Sequence, residues 1–68
     1  MKIRINGEDR NVSAELTLYE LLLEMEIEPT HPGIAVAVNR EVVPKGDWRT
    51  KSIGENSEVE IIRAVQGG

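Results

Sequence analysis

The chemistry open to this 68-residue chain is narrow, and most of it lies at one end. Gly67-Gly68 follows an apolar strand pattern and offers a terminal carboxylate. Glycine has no Cβ, so two in succession make a thin tail whose backbone can enter a narrow channel. Residues 66–68, Gln66 included, are expected to form that flexible tail. The remaining candidates are isolated. The chain has no cysteine, which excludes disulfides, thiolate–zinc sites and a cysteine nucleophile. One histidine, His31, is too few for the paired-histidine zinc motifs. With Pro29 and Pro32 around it, His31 reads as a solvated loop residue. Ser13, Ser52 and Ser57 lack the positioned histidine and acid that a serine nucleophile needs. No glycine-rich phosphate loop is present.

Size and charge narrow the field further. The chain holds one domain, 1–68, with one small core. A domain near this size buries only about 60% of the surface its unfolded chain exposes, so a closed substrate pocket would consume most of the core. Eight Lys and Arg against twelve Asp and Glu give a net charge of −4, and Tyr19 and Trp48 are the only aromatic residues. A nucleic-acid partner is excluded, because both the basic surplus and the base-stacking surface it would need are missing. No stretch approaches the ~18 apolar residues of a membrane span, and no signal segment opens the chain. A membrane partner is therefore excluded and a cytoplasmic setting expected.

The elements that must hold the tail can be read in order. Met1–Asn6 alternates, with Ile3 and Ile5 on one face and Lys2 and Arg4 on the other, as a half-buried strand does. Asn6-Gly7 is a strong two-residue hairpin signal. A second short strand around Arg10–Ser13, with Val12 inward, would return antiparallel. Thr17 and Glu20 make a capping box, with Leu16 placed to staple onto Leu21. Leu18, Leu21, Leu22 and Met25 share one helical face, Leu23 falls off it, and Pro29 stops the helix. Ile34–Val38 is apolar throughout, which suggests a strand covered on both faces or flanked by neighbours. Asn39-Arg40 turns into Glu41–Val43, and Pro44 ends that edge strand. Lys45–Ser52 is a polar connection with one helical turn, its Trp48 expected to plug the core. Gly54–Ser57 is a further turn before the last strand, Glu58–Val65.

One helix with a single apolar stripe must pack on one face of a single sheet. Short, unknotted connections place the first and last strands parallel at the sheet centre. The predicted fold class is α+β, a β-grasp: a mixed sheet of four to five strands with one helix on one face. Period two in the last strand points Val59 and Ile61 inward. Ile62 and Ala64 then fall on the opposite face, where an apolar spot beside the tail is expected to dock a partner. Charge is unevenly spread. Glu15, Glu20, Glu24, Glu26 and Glu28 crowd one stretch, with Glu20, Glu24 and Glu28 at four-residue spacing. Arg40, Lys45, Arg49 and Lys51 give residues 40–51 a basic balance. A solvated, soluble surface accounts for both, with steering of a basic partner as the alternative.

Val36-Ala37-Val38-Asn39, Val42-Val43-Pro44, Trp48, Val59-Glu60-Ile61-Ile62 and Gly67-Gly68 together carry a resemblance over essentially the full chain. In these residues it resembles the ThiS family, the ubiquitin-like sulfur carriers of thiamin biosynthesis. The asparagine, valine-proline and tryptophan spacing discriminates better than the diglycine, which many ubiquitin-like proteins share. Gly54-Glu55-Asn56 stands where the family commonly has Gly-Asp, and Gln66 where a third glycine is frequent. The resemblance implies chemistry at Gly68. A ThiF-like adenylating enzyme would activate the carboxylate with ATP, and sulfur from a persulfide donor would displace AMP to leave a thiocarboxylate. A ThiG-like thiazole synthase would accept that sulfur. On this reading the chain is a protein co-substrate, with no catalytic residue, bound cofactor or metal of its own. Sibling roles on the same fold are the small subunit of molybdopterin synthase and a ubiquitin-like modifier joined to lysines. A rival of another class is a passive interaction module with an incidental diglycine.

Overall fold

A computed structural model describes residues 1–64. It opens on a hairpin of β1 (Lys2–Ile5) and β2 (Glu8–Asn11), paired antiparallel. Asn6 and Gly7 take φ of 50° and 83°, the positive values a tight two-residue hairpin turn requires. That turn leaves no spare residue, so Ile5 faces Glu8 directly. β2 therefore starts two residues before the expected Arg10. Val12 lies just past its end, half-buried, with its amide donating to the Met1 carbonyl at 2.8 Å.

The helix, α1 (Leu18–Glu24), starts as its sequence dictates. Thr17 accepts from the Glu20 amide, and the Glu20 carboxylate accepts from the Thr17 amide at 2.9 Å. Two further free amides of the first turn are met from outside. Leu18 donates to the Lys51 carbonyl at 2.8 Å and Tyr19 to that of Trp48 at 2.9 Å. The polar connection of residues 45–52 thus closes the helix start.

The helix ends well short of Pro29. Glu26 sits at φ 61°, its amide donates to Leu23 at 2.9 Å, and the Ile27 amide donates to Leu22 at 2.8 Å. This is the paired-bond closure usually built on glycine, and it turns Ile27 into the core beside Leu22. Glu28 consequently leaves the helix. The expected row of three carboxylates at four-residue spacing is reduced to Glu20 and Glu24.

β3 (Ile34–Val38) and β4 (Glu41–Val43) form a second hairpin, with Asn39 and Arg40 at φ 50° and 70°. A single 3-10 turn, Lys45–Asp47, follows. Trp48 is 2% exposed, and its indole donates to the Val43 carbonyl at 2.8 Å, so it plugs the core as expected. β5 (Glu58–Arg63) closes the sheet two residues before the expected Val65, which lies outside the described residues.

The sheet order is β2-β1-β5-β3-β4. β1 and β5 are parallel neighbours, and β5 runs antiparallel to β3. First and last strands therefore meet parallel at the centre, the β-grasp arrangement. Leu18, Leu21 and Leu22 of α1 bury against Ile3, Ile5, Val36, Val38, Val59 and Ile61 of the sheet, all on one face. Among the described residues the other face carries no helix.

Candidate functional site

The candidate site is the root from which β5 releases the chain toward its end. Its backbone is held on both flanks. β1 pairs with β5 at Arg4↔Glu58 and Ile5↔Val59, then turns away. The Asn6 side chain carries the pairing one step on. Its Oδ1 accepts from the Ile61 amide at 2.9 Å and its Nδ2 donates to the Ile61 carbonyl at 3.3 Å. On the other flank β3 follows β5 as far as Ile34↔Arg63. Beyond that pair the Ala64 amide donates to the Gly33 carbonyl at 2.7 Å. Lys45 fastens the same loop, donating from Nζ to the His31 carbonyl at 2.9 Å.

Beside this root lies an apolar strip on the face without a helix. Ile62 is 60% exposed and Val42 is 74% exposed. In register, Ala35 faces Ile62 across β3 and β5, and Ala37 faces Val42 across β3 and β4. Ala64 is exposed at the strip's tail end. Ile62 thus stands where period two put it, while Ala64 falls one residue past the end of β5. Ala35, Ala37 and Val42 escaped sequence reasoning, because an unbroken apolar run hides which of its residues face outward and Glu41–Val43 was read only as an edge strand. Of the two alternatives for β3 the structure bears out the second: it is flanked by β5 and β4, buried at Ile34, Val36 and Val38 and open at Ala35. The signal was there to use, since a single helix can cover only one face of an all-apolar strand.

Gln66, Gly67 and Gly68, the expected tail, lie outside the described residues. The other candidates hold ordinary posts. His31 is exposed in its loop, with Nδ1 2.7 Å from the Pro32 carbonyl. Ser13 donates from Oγ to Glu24 at 2.7 Å, Ser52 bridges to Thr17, and Ser57 is buried. The acidic stretch divides into local partnerships: Glu20 in the capping box, Glu24 on Ser13, and Glu28 accepting from the Thr30 hydroxyl at 2.8 Å. The Ser13 hydroxyl, helped by the Ser13 amide, holds the Glu24 carboxyl below its ordinary range. These bonds favour the solvated-surface account of the charge. Among the described residues no three His, Asp or Glu side chains gather as a metal-ligand set. No helix among them is long and apolar enough to cross a membrane.

Comparison with known proteins agrees with this geometry. The model of the ThiS family matches residues 3–68. The sulfur carrier protein ThiS of Escherichia coli K12 is 25% identical over 68 residues, covering all of both chains. A thiazole synthase of Paramagnetospirillum magneticum is 37% identical over 68 residues, which is all of this chain but 20% of that relative. The chain thus spans about a fifth of the length of the thiazole synthase it matches. The crystal structure of the thiamine biosynthesis protein ThiS from Geobacter metallireducens superposes with a TM-score of 0.83 at 23% identity, each chain covered in full. That likeness establishes the fold. With the family match running almost end to end, the chain belongs to the ThiS family.

Proposed function

We propose that this chain is a sulfur carrier of thiamin biosynthesis, a protein co-substrate rather than an enzyme, and that it holds its sulfur as a thiocarboxylate on Gly68, at the end of a tail of Gln66, Gly67 and Gly68. The observation that carries the reading is the family match, which runs through to Gly68. A carboxylate is a poor electrophile and must first be activated. A ThiF-like adenylating enzyme uses ATP for this: a Gly68 carboxylate oxygen attacks the α-phosphorus, pyrophosphate leaves, and an acyl-adenylate forms. The terminal sulfur of a persulfide donor then attacks the carbonyl carbon, the C–O bond breaks, and AMP leaves. A thiol next attacks the sulfur still held by the donor. The S–S bond breaks, that thiol and the donor sulfur become a disulfide, and the thiocarboxylate remains on Gly68. The chain has no cysteine, so the activated acyl group has no internal thiol to be lost to.

A thiazole synthase is the proposed acceptor. A stretch similar to this whole chain within the P. magneticum thiazole synthase supports that choice. The apolar strip of Ile62 and Ala64, widened by Ala35 and Val42, supports docking of the adenylating partner beside the tail. The reading carries a cytoplasmic setting, where ATP and reduced thiols are maintained.

Intact-mass measurement tests it. Incubated with its adenylating enzyme, ATP and a persulfide source, the protein gains the mass difference between one sulfur and one oxygen. Removal of Gly68 abolishes the gain. Adducts on lysines without that gain would replace this reading with protein modification.

A further inference from the structure

We propose that Gly33 is a positioning residue for the reactive tail: its bare Cα and positive φ set where β5 releases the chain. The inference rests on Gly68 being the sulfur-carrying group. Two separate constraints meet at this glycine. Its backbone takes φ +85°, a conformation that side chains other than glycine's hydrogen rarely tolerate. A Cβ built on it would lie 3.3 Å from the Ala64 carbonyl oxygen and 3.4 Å from the Ala64 Cβ. Those atoms have little room to retreat, because the Ala64 amide is bonded to Gly33's own carbonyl at 2.7 Å.

The loop cannot simply swing aside either. Lys45 holds it one way through His31, and the pair Ile34↔Arg63 holds it the other. A side chain at position 33 therefore displaces Ala64. Ala64 stands four residues before Gly68, and four residues reach at most about 14 Å. Because that span is fixed by chain length, a shift of the root relative to a docked partner shifts the point the carboxylate can reach. Misplacing a reacting group by about 1 Å can cost on the order of 100-fold in rate.

Gly7 supplies the control. It takes φ +83° in the β1–β2 turn, nearly the same backbone, but nothing lies within 4 Å of a Cβ built there. Gly33→Ala and Gly7→Ala thus share the backbone strain and differ in the contact with the tail root. Each lowers the Tm by about 4–8 °C, read by circular dichroism. The discriminating measurement is steady-state pyrophosphate release by the adenylating enzyme against carrier concentration. Gly33→Ala lowers kcat by about tenfold or more with KM changed less than about threefold, while Gly7→Ala leaves both unchanged. Should Gly33→Ala fail to fold, Gly33→Asn replaces it. Asparagine tolerates positive φ yet keeps the Cβ, so the loss of kcat persists there. Equal kcat for the two alanine variants, a rise in KM alone, or a normal kcat for Gly33→Asn overturns the proposal. Failure of the unaltered chain to release pyrophosphate or gain sulfur would instead overturn the reading of Gly68, and this inference with it.

Discussion

The exposed isoleucine at 62 and the buried one at 61 are neighbours with opposite duties. Ile61 packs under the helix, and its backbone is clasped by the Asn6 amide. Ile62 is exposed and faces Ala35 across the strand pair. An aspartate at 62 should therefore leave the fold alone and put a charge into the proposed docking strip. Ile62→Asp is expected to keep the thermal midpoint within about 2–4 °C. It should raise KM for the adenylating partner by about tenfold, as loss of roughly 1.4 kcal/mol of contact does. Unfolding curves and adenylation kinetics on the same sample check both; an unchanged KM removes Ile62 from the contact. Gly67-Gly68 could be picked out from sequence because a side-chain-free end is a property of composition. Gly33 could not. Its role depends on Ala64, more than thirty positions away in the chain.

Elements were legible wherever the deciding chemistry is local. Asn6-Gly7 and Asn39-Arg40 fold as two-residue turns, and Thr17 with Glu20 starts the helix. The helix end was hidden because its left-handed residue is Glu26, where glycine would have announced it. That substitution is itself testable. Glu26→Gly removes a strained Cβ at an exposed position and is expected to raise stability by about 0.5–1 kcal/mol, measured by urea unfolding. A loss of stability would mean that the Glu26 side chain earns its place through a contact. Acid sensitivity also belongs to pairs of elements. The Asp9 carboxyl is held below its ordinary 3.8 first by the hydrogen bond from Arg4 and then by Lys2, across the β1–β2 hairpin. Glu24 is held below 4.5 by Ser13, which ties α1 to the segment after β2. Folding lowers both values, so their contribution is present above the unfolded pKa and fades as pH falls through the folded one. Between pH 7 and about pH 3, a chain carrying Asp9→Asn and Glu24→Gln should lose less Tm than the unaltered chain. An equal loss would assign the acid limb to other carboxylates.

At the scale of the molecule, one face of the sheet is spent on stability and the other is open, free for the proposed docking. α1 and Trp48 cover the first, and the second carries Ile62, Ala35 and Val42 in the open. Sequence reasoning reached the helix side readily, since leucines at helical spacing and alternating isoleucines declare a core. On the open side it reached Ile62 by period two but not Ala35 or Ala37, because alternation is invisible in a strand whose outward residues are alanines. The tail leaves from β5, which lies between β1 and β3 with bonds on both sides. Tension applied to the tail runs along that strand's axis. It loads both ladders in shear, where bonds must fail together rather than unzip singly. A partner can therefore draw the tail taut into a channel while the domain behind it stays folded.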